Sequence, residues 1–178
     1  MGIFRRGQPP EALPLAMTGV KLGDRVLFAG TDDVTLAAAV AARAGLSGRV
    51  VVLAADAAAA KARAARIEAE GAFVETAGTP LAQLAFDRES FDVAVLEDTL
   101  LALEEADRGA ALAALFRVLR PGGRLLWIER EPRGGRFTRG RPDTPAREQL
   151  LRDTGFRGVR TLAAAGGRTY VEGIKANQ

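Results

Sequence analysis

Short apolar segments that alternate with helical segments constrain the fold of this chain more than any other feature. Three of these segments, residues 25–30, 49–55 and 91–96, are almost continuously apolar. Continuous apolar runs are typical of strands buried on both faces, as in a parallel sheet that is covered by helices. The right-handed crossover rule then predicts a doubly wound α/β sandwich.

The remaining segments complete the predicted sheet. Residues 72–75 and 124–129 are the third and fifth strands. Helices are predicted over residues 34–44, 57–70, 104–119 and 145–154. The last two strands, 159–164 and 168–175, alternate in polarity and are joined by Gly166-Gly167, a pattern that is typical of an antiparallel hairpin. The predicted fold is α/β, with a doubly wound, mainly parallel seven-stranded sheet that ends in a C-terminal antiparallel hairpin.

The length of 178 residues suits one domain with a full hydrophobic core. Residues 1–11 contain Pro9 and Pro10 and are predicted to be a loose leader, and residues 12–178 are predicted to form a single domain. No apolar run reaches the length of a membrane span or follows the N-terminal arginines as in a signal peptide. We therefore expect a cytoplasmic protein that does not associate with a membrane.

The composition excludes several kinds of site. The chain has neither cysteine nor histidine, so it can form no disulfide and no thiolate metal site, and it lacks the commonest general base. We therefore expect no metal, and acid–base chemistry would depend on Asp, Glu, Lys or Tyr170. Of the 25 basic residues 22 are arginine, which is weak support for nucleic-acid binding because arginine and alanine usage also follows gene composition.

Five segments carry a resemblance to a known family. They are GDRVL (23–27), GRVV (48–51), SFDV (90–93), FRVLRPGG (116–123) and LLRDTGF (150–156). In this order they resemble the class I S-adenosylmethionine-dependent methyltransferases, in particular the small-molecule branch of methyltransferase type 11. The resemblance covers nearly the whole chain. It implies a Rossmann-like fold, a transferase activity in methylation and S-adenosylmethionine as the cofactor.

The cofactor loop departs from the family pattern. The family has a Gly-x-Gly-x-Gly loop after the first strand, because glycine lets the backbone approach the methionine part of the cofactor. Only Gly30 matches this loop, since Asp32 and Val34 occupy the second and third glycine positions. Phe28 stands where the family has an acid. The resemblance places cofactor contacts at Gly30, Thr31 and Asp32.

Two further cofactor contacts are altered. The family ends its second strand on an acid that accepts both ribose hydroxyls, and Ala54 stands at that position. Asp56 could replace this acid if the strand end bulged, or it could be the N-cap of the helix over 57–70. The third motif, an acid near the adenine, falls at Pro80. With three contacts altered, we expect weak binding of S-adenosylmethionine.

Two acidic residues follow the fourth strand, where the family often places residues on the substrate side. A carboxylate pair of Glu97 and Asp98 could act as a base or bind a cation. The same residues could instead solvate the strand end and cap the next segment. No catalytic residue is assigned.

An arginine-rich segment follows the fifth strand. Arg133, Arg136 and Arg139 lie among glycines and prolines, with Phe137 between them. A guanidinium binds phosphate or carboxylate through two parallel hydrogen bonds, and an aromatic ring can stack on a base. The segment is therefore either an anion-binding loop or a solvated linker.

Two functions remain open. The first is methyl transfer to an unknown acceptor, which membership of the resembled family favours. The second is a non-catalytic methyltransferase fold, a pseudoenzyme that binds a protein partner or an anionic ligand. An unaltered core with altered cofactor loops favours this second function.

Overall fold

The computed structural model describes residues 12–31, 33–131 and 143–177. The predicted leader over residues 1–11, Asp32 and the segment with Arg133, Arg136 and Arg139 lie outside the described residues. The helices are α1 (Ala12–Thr18), α2 (Thr35–Ala44), α3 (Ala57–Ala69), α4 (Glu105–Val118) and α5 (Thr144–Thr154), with 3₁₀ turns at Leu81–Gln83 and Leu100–Ala102. The strands are β1 (Arg25–Ala29), β2 (Arg49–Ala54), β3 (Glu75–Gly78), β4 (Phe91–Glu97), β5 (Leu119–Arg130), β6 (Phe156–Ala165) and β7 (Arg168–Lys175).

These strands form one sheet in the order β3-β2-β1-β4-β5-β7-β6. Strands β1 to β5 pair in parallel, whereas β7 pairs antiparallel with both β5 and β6. The predicted fold class is thereby confirmed. The strand order reverses between β1 and β4, and in sheets of this kind a crevice for a ligand opens at the carboxyl ends of the strands at that point.

The two faces of the sheet bury separate hydrophobic clusters. Helices α1, α2 and α3 cover one face, on which Phe28 and Tyr170 are among the largest fully buried side chains. Helices α4 and α5 cover the other face, which holds Trp127, Phe91 and Phe156. Burial of each such side chain stabilises the fold by about 1.5–3 kcal/mol. No helix in the described ranges has the length and apolar character that a bilayer span requires.

The third strand lies at Glu75–Gly78, so its prediction at residues 72–75 is wrong. Phe73, which contributed to the apolar pattern, is 74% exposed. The strand begins where Glu75 forms a two-pronged ion pair with Arg49 of the neighbouring β2, at 2.9 and 2.7 Å. It ends at Gly78, where a Cβ atom would lie 2.3 Å from the carbonyl carbon of Asp56.

Helix α1 was not predicted, and it is attached to the sheet by one arginine. Arg124 of β5 donates from Nη2 to the carbonyl of Met17 at 2.8 Å, and its Nε lies 2.8 Å from a carboxylate oxygen of Glu172. Gly19 follows the helix with φ +65°, and a Cβ atom there would lie 2.0 Å from Arg124 Nη1. Glycine at this position therefore leaves room for the Arg124 guanidinium that attaches α1 to β5.

The Pro-Gly-Gly segment lies inside β5 and not before it. Helix α4 ends at Val118, and the strand begins at the next residue. The β4–β5 register shifts between the pairs Phe91–Leu119 and Val93–Arg124, so Pro, Gly and Gly form a bulge near the start of β5. The bulge contains Gly122 with φ +72°, a conformation that glycine adopts readily.

Candidate functional site

A cavity of about 1060 Å³ lies at the carboxyl ends of β1, β4 and β5, beside the turn between β6 and β7. Helix α1 and the 3₁₀ turn after β4 form its apolar walls. The residues that line it are Leu13, Pro14, Thr31, Asp98, Leu101, Ala102, Glu129, Arg130, Glu131, Gly166, Gly167, Arg168 and Tyr170. The cavity therefore lies at the crevice that the strand order predicts.

Glu97, the last residue of β4, lies beneath this cavity and is 2% exposed. Its Oε1 lies 3.1 Å from Nη2 of Arg168, and its Oε2 has no hydrogen-bond partner among the described residues. Burial raises the pKa of the Glu97 carboxyl above its ordinary value, and the charges of Asp98 and Asp33 add to this rise. The guanidinium groups of Arg168 and Arg130 oppose it.

Arg168 is the cation of this ion pair and the first residue of β7. Its position follows from the antiparallel β5–β7 register, which pairs it with Arg130 at the carboxyl end of β5. Its side chain is 21% exposed, so it is accessible from the cavity that it lines. It also hydrogen-bonds to the side chain of Tyr170, whose pKa is raised by burial and lowered to a smaller extent by Arg168.

Asp98 joins the ends of β4 and β5. Its backbone N–H donates to the carbonyl of Ile128 at 2.9 Å, and its carboxylate accepts the backbone N–H of Arg130. Its Oδ2 also lies 3.2 Å from Arg130 Nη2. Asp98 has φ +51°, a conformation that aspartate tolerates better than most residues. Of the two acids predicted on the substrate side, Asp98 lines the cavity and Glu97 lies buried next to it.

A second buried carboxylate, Glu129, holds one wall of the cavity. Its Oε1 accepts the indole N–H of Trp127 at 2.9 Å and the backbone N–H of Leu101 at 3.3 Å. Because Leu101 belongs to the 3₁₀ turn after β4, this contact fixes that turn against β5. Glu129 therefore positions part of the cavity wall.

The loop after β1 retains little room for side chains. Thr31 lines the cavity, and its hydroxyl is buried with no hydrogen-bond partner in the described ranges. A Cβ atom on Gly30 would lie 2.5 Å from the ring of Phe28 and 3.5 Å from Glu97 Oε2. The ring of Phe28 thus lies next to the loop, where the resembled family has an acid, and Gly30 must remain glycine unless that ring moves.

The ends of β1 and β2 are bridged by an arginine. Arg63 of α3 donates from Nη1 to the carbonyl of Leu53 at 2.7 Å and to the carbonyl of Gly30 at 3.1 Å. Ala54, at the position of the family's ribose acceptor, is buried and has no polar side-chain atom. A guanidinium has hydrogen-bond donors only, so Arg63 cannot replace the acid that would accept the ribose hydroxyls.

Asp56 is the N-cap of α3. Its Oδ1 accepts the backbone N–H of Ala59 at 2.8 Å, and its backbone is extended, as an N-cap requires. This placement agrees with the helix-cap interpretation, and Asp56 lies outside the described lining of the cavity. Pro80, at the third altered position, directly precedes the 3₁₀ turn at Leu81–Gln83.

Sequence reasoning did not identify Arg63, Glu129 or Arg168. Arg168 could have been found, because a hairpin with a Gly-Gly turn places the residue after the turn at the carboxyl edge of the strand it pairs with. Glu129, as the last acid of a predicted strand, carried the same signal as Glu97. Arg63 carried none, since its reach to two strand carbonyls depends on how α3 packs.

Residues 29–127, more than half of the chain, match the sequence profile of a methyltransferase domain. The chain belongs to the methyltransferase family. This result confirms the resemblance that the five sequence segments indicate. No curated protein sequence matches the chain.

Solved structures agree with this family. An S-adenosylmethionine-dependent methyltransferase from Aquifex aeolicus has a TM-score of 0.79 at 20% identity, with 93% of each chain covered. The 4+2 cyclase SpnF has a TM-score of 0.72 at 19% identity, covering 93% of this chain and 79% of that one. A methyltransferase complex with the Trm112 activator from Haloferax volcanii has a TM-score of 0.71 at 17% identity, covering 92% and 87%. At these identities the likeness shows the fold alone.

The family and its structural neighbours support S-adenosylmethionine as the cofactor of this domain. One end of this molecule is an α-amino acid and the other is adenosine. The amino-acid end fits the described residues, because Glu97 Oε2 and the Thr31 hydroxyl are buried polar atoms that lack partners among them. The ribose does not fit in the same way, because Ala54 replaces its acceptor and Arg63 occupies the adjacent strand carbonyls.

Proposed function

We propose that this domain is a methyltransferase that works in the cytoplasm and transfers a methyl group from S-adenosylmethionine to an acceptor in the cavity. The observation that carries the proposal is the ion pair of Glu97 and Arg168 at the carboxyl end of β4, beside a cavity of about 1060 Å³. When bound, S-adenosylmethionine supplies an electrophilic methyl group on its sulfonium sulfur.

The residues of the cavity would act by orienting the acceptor. Leu13, Pro14, Leu101 and Ala102 form an apolar wall on one side of the cavity. Asp98 is held rigidly between β4 and β5 and presents a carboxylate to the same space. Methyl transfer depends mainly on bringing donor and acceptor into line, and positioning of this kind can supply about 7–11 kcal/mol of the barrier. Few catalytic side chains are needed.

The altered ribose position lowers the expected affinity for the cofactor. Loss of the acceptor at Ala54 leaves the two ribose hydroxyls to find other partners, and each unpaired polar group costs about 1–3 kcal/mol. Two such losses weaken binding about a hundredfold or more. The dissociation constant for S-adenosylmethionine should therefore exceed about 100 μM.

Methyl-labelled S-adenosylmethionine tests this function. The purified protein is incubated with the label and a small-molecule fraction of cells, and transfer to any acceptor is measured. The variant Ala102→Trp, which fills the cavity mouth, should abolish transfer. Ala106→Trp on α4 is the matched control, because Ala106 is exposed and lies outside the described lining. Equal transfer by both variants would contradict the cavity as the acceptor site.

A second candidate is a methyltransferase fold that binds a ligand or a protein partner without catalysis. Two side chains favour it, because Phe28 stands where the resembled family has an acid, and Arg63 occupies the strand carbonyls beside the altered ribose position. The Haloferax volcanii neighbour, a methyltransferase in complex with its activator, supports a protein partner for a fold of this kind. This candidate predicts no label transfer by the wild type to any fraction.

We also propose that Arg133, Arg136 and Arg139 bind an anionic ligand at the rim of the site. Glu131 and Arg147 form an ion pair of 2.7 Å at the two ends of this segment, and Arg147 is buried. This pair joins described residues on either side of the segment, and Glu131 lines the cavity.

A further inference from the structure

We propose that the ion pair of Glu97 and Arg168 binds the α-amino-acid end of the cofactor, in place of the glycine loop and strand acid that the family uses. This inference rests on the proposed function. It assigns two side chains on β4 and β7 to a task that the family gives to the β1 loop. The following observations support it.

The charges of the pair match a zwitterion. An α-amino acid carries an ammonium and a carboxylate on neighbouring atoms, and Glu97 and Arg168 present the opposite charges 3.1 Å apart. Glu97 Oε2, which lacks a hydrogen-bond partner in the described part of the chain, would accept the ammonium. The guanidinium of Arg168 can bind a carboxylate through two parallel hydrogen bonds.

The position of the pair matches the cofactor site of a doubly wound sheet. Glu97 Oε2 lies 3.5 Å from the Cβ position of Gly30, so the carboxylate of β4 lies next to the end of β1, across the point where strand order reverses. The family has an acid at the position of Phe28, and the Phe28 side chain is buried. Glu97 thus supplies a carboxylate from the neighbouring strand.

The pair is held in place, and its arginine is reached from the cavity. Arg168 is fixed by Glu97 on one side and by the side chain of Tyr170 on the other. Arg168, Tyr170 and Thr31 line the cavity, so a ligand contacts Arg168 directly and reaches the buried Glu97 beneath it only if the Arg168 side chain shifts. The buried hydroxyl of Thr31 is a further donor and acceptor at the same edge.

A set of variants and ligand analogues tests the assignment. The ligands are S-adenosylhomocysteine, its analogue without the amino group and its analogue without the carboxylate. The proteins are wild type, Glu97→Gln and Arg168→Gln. The control is Glu172→Gln, because Glu172 is also a buried acid paired with arginines, Arg124 and Arg160, but lies outside the described lining. Affinities are measured by ligand-observed NMR, and folding by thermal melts.

The expected pattern is specific for each group. In the wild type, removal of either charged group from the ligand should weaken binding at least about tenfold. Glu97→Gln should lose sensitivity to the amino group and keep sensitivity to the carboxylate, and Arg168→Gln should show the reverse. Glu172→Gln should behave as wild type. Such coupling between a side chain and a ligand group is what a direct contact produces.

The outcomes separate the inference from the proposed function. If the wild type binds S-adenosylhomocysteine but both variants respond to the analogues as wild type does, the assignment is overturned and methyl transfer stands. If the wild type binds no S-adenosylhomocysteine, both the assignment and the proposed methyl transfer are contradicted. If either variant is unfolded, the pH dependence of ligand affinity in the wild type tests the assignment instead.

In that profile, affinity for S-adenosylhomocysteine should fall as acid protonates Glu97, and affinity for the analogue without the amino group should not. The charged groups that face Glu97 are Arg168 on β7, Arg130 on β5, Asp98 after β4 and Asp33 before α2. Identical pH profiles for the two ligands would overturn the assignment.

Discussion

At the scale of single residues, Glu97 is the group whose burial most needs a functional reason. Its carboxylate is 2% exposed, and one oxygen lacks a partner among the described residues. A buried polar group without a partner costs about 1–3 kcal/mol of stability. Groups that reduce stability in this way are concentrated at functional sites, where a ligand later satisfies them.

The raised pKa of Glu97 predicts how stability depends on pH. Because the folded-state pKa lies above the unfolded value of about 4.5, its contribution to stability is fully present below that value. It is lost as pH rises through the raised folded-state pKa. Glu97→Gln should remove this decline and melt at a higher temperature than wild type near pH ~7 without ligand.

Thermal melts of both proteins across the acidic and neutral range measure this effect. Glu172→Gln is the matched control, and we expect it to lower the melting temperature because Glu172 is paired with both Arg124 and Arg160. A Glu97→Gln variant that melts below wild type near pH ~7 would show that the carboxylate stabilises the unliganded fold.

Some of these residues could be predicted from sequence and others could not. Glu97 and Asp98 follow a buried strand, and the carboxyl ends of parallel strands are where ligands bind. The role of Asp56 as a helix cap followed from its place before an alanine-rich helix. Arg63 could not be predicted, because no local pattern reports which strand ends a helical side chain will reach.

At the scale of elements, the attachment of α1 depends on a glycine. Gly19→Ala would place a methyl group 2.0 Å from Arg124 Nη1 and so displace the guanidinium that holds the helix. We expect a loss of about 1–3 kcal/mol in the free energy of unfolding, measured by urea denaturation. Gly71→Ala is the control, because Gly71 has a similar positive φ with no atom within 4 Å of its Cβ position. Equal losses in both variants would mean that φ strain alone is responsible.

The contact between α3 and the strand ends predicts a gain of function. Ala54→Asp would restore the ribose acceptor, but the new carboxylate would lie one residue from the Leu53 carbonyl that Arg63 binds. We therefore expect the double variant Ala54→Asp, Arg63→Ala to bind S-adenosylhomocysteine at least about tenfold more tightly than wild type by calorimetry.

Arg66→Ala is the control on the same helix, because Arg66 is exposed and lies in the last turn. It should leave the affinity unchanged. If the folded double variant binds no better than wild type, the adenosine half of the cleft is closed by more than these two side chains.

The elements that sequence predicted well have either a continuous apolar run or two alternating strands joined by a Gly-Gly turn. The buried strands β1, β2 and β4 and the hairpin of β6 and β7 lie within a few residues of their predicted bounds. Strand β3 was misplaced because it has only four residues, and an exposed phenylalanine preceded it. Helix α1 was missed because seven residues are too few to establish a helical period.

At the scale of the whole molecule, we propose that the arginine-rich segment after β5 binds polyanions through charge. Replacing Arg133, Arg136 and Arg139 with serine should lower retention on heparin and affinity for RNA without changing the melting temperature. Binding through charge releases counterions, so the retention of wild type should fall steeply with salt. If the wild type is not retained at about 0.1 M salt, the segment is a linker.

The molecule as a whole combines an unaltered fold with a cofactor site that is altered on one side. The hydrophobic cluster on each face of the sheet is buried, and the strand order is that of a doubly wound sheet. The altered positions lie at or just after the ends of β1, β2 and β3, whereas the ends of β4 and β5 and the start of β7 carry charged groups around a cavity. We therefore predict that the site binds the amino-acid end of the cofactor and binds adenosine only weakly.

Calorimetric titration of the wild type with S-adenosylhomocysteine and, separately, with adenosine tests this claim most directly. We predict a dissociation constant above about 100 μM for S-adenosylhomocysteine. The dissociation constant for adenosine should be at least about tenfold higher. A dissociation constant of about 1–5 μM for S-adenosylhomocysteine would contradict the altered ribose position. Equal affinity for the two ligands would contradict the amino-acid site at Glu97 and Arg168.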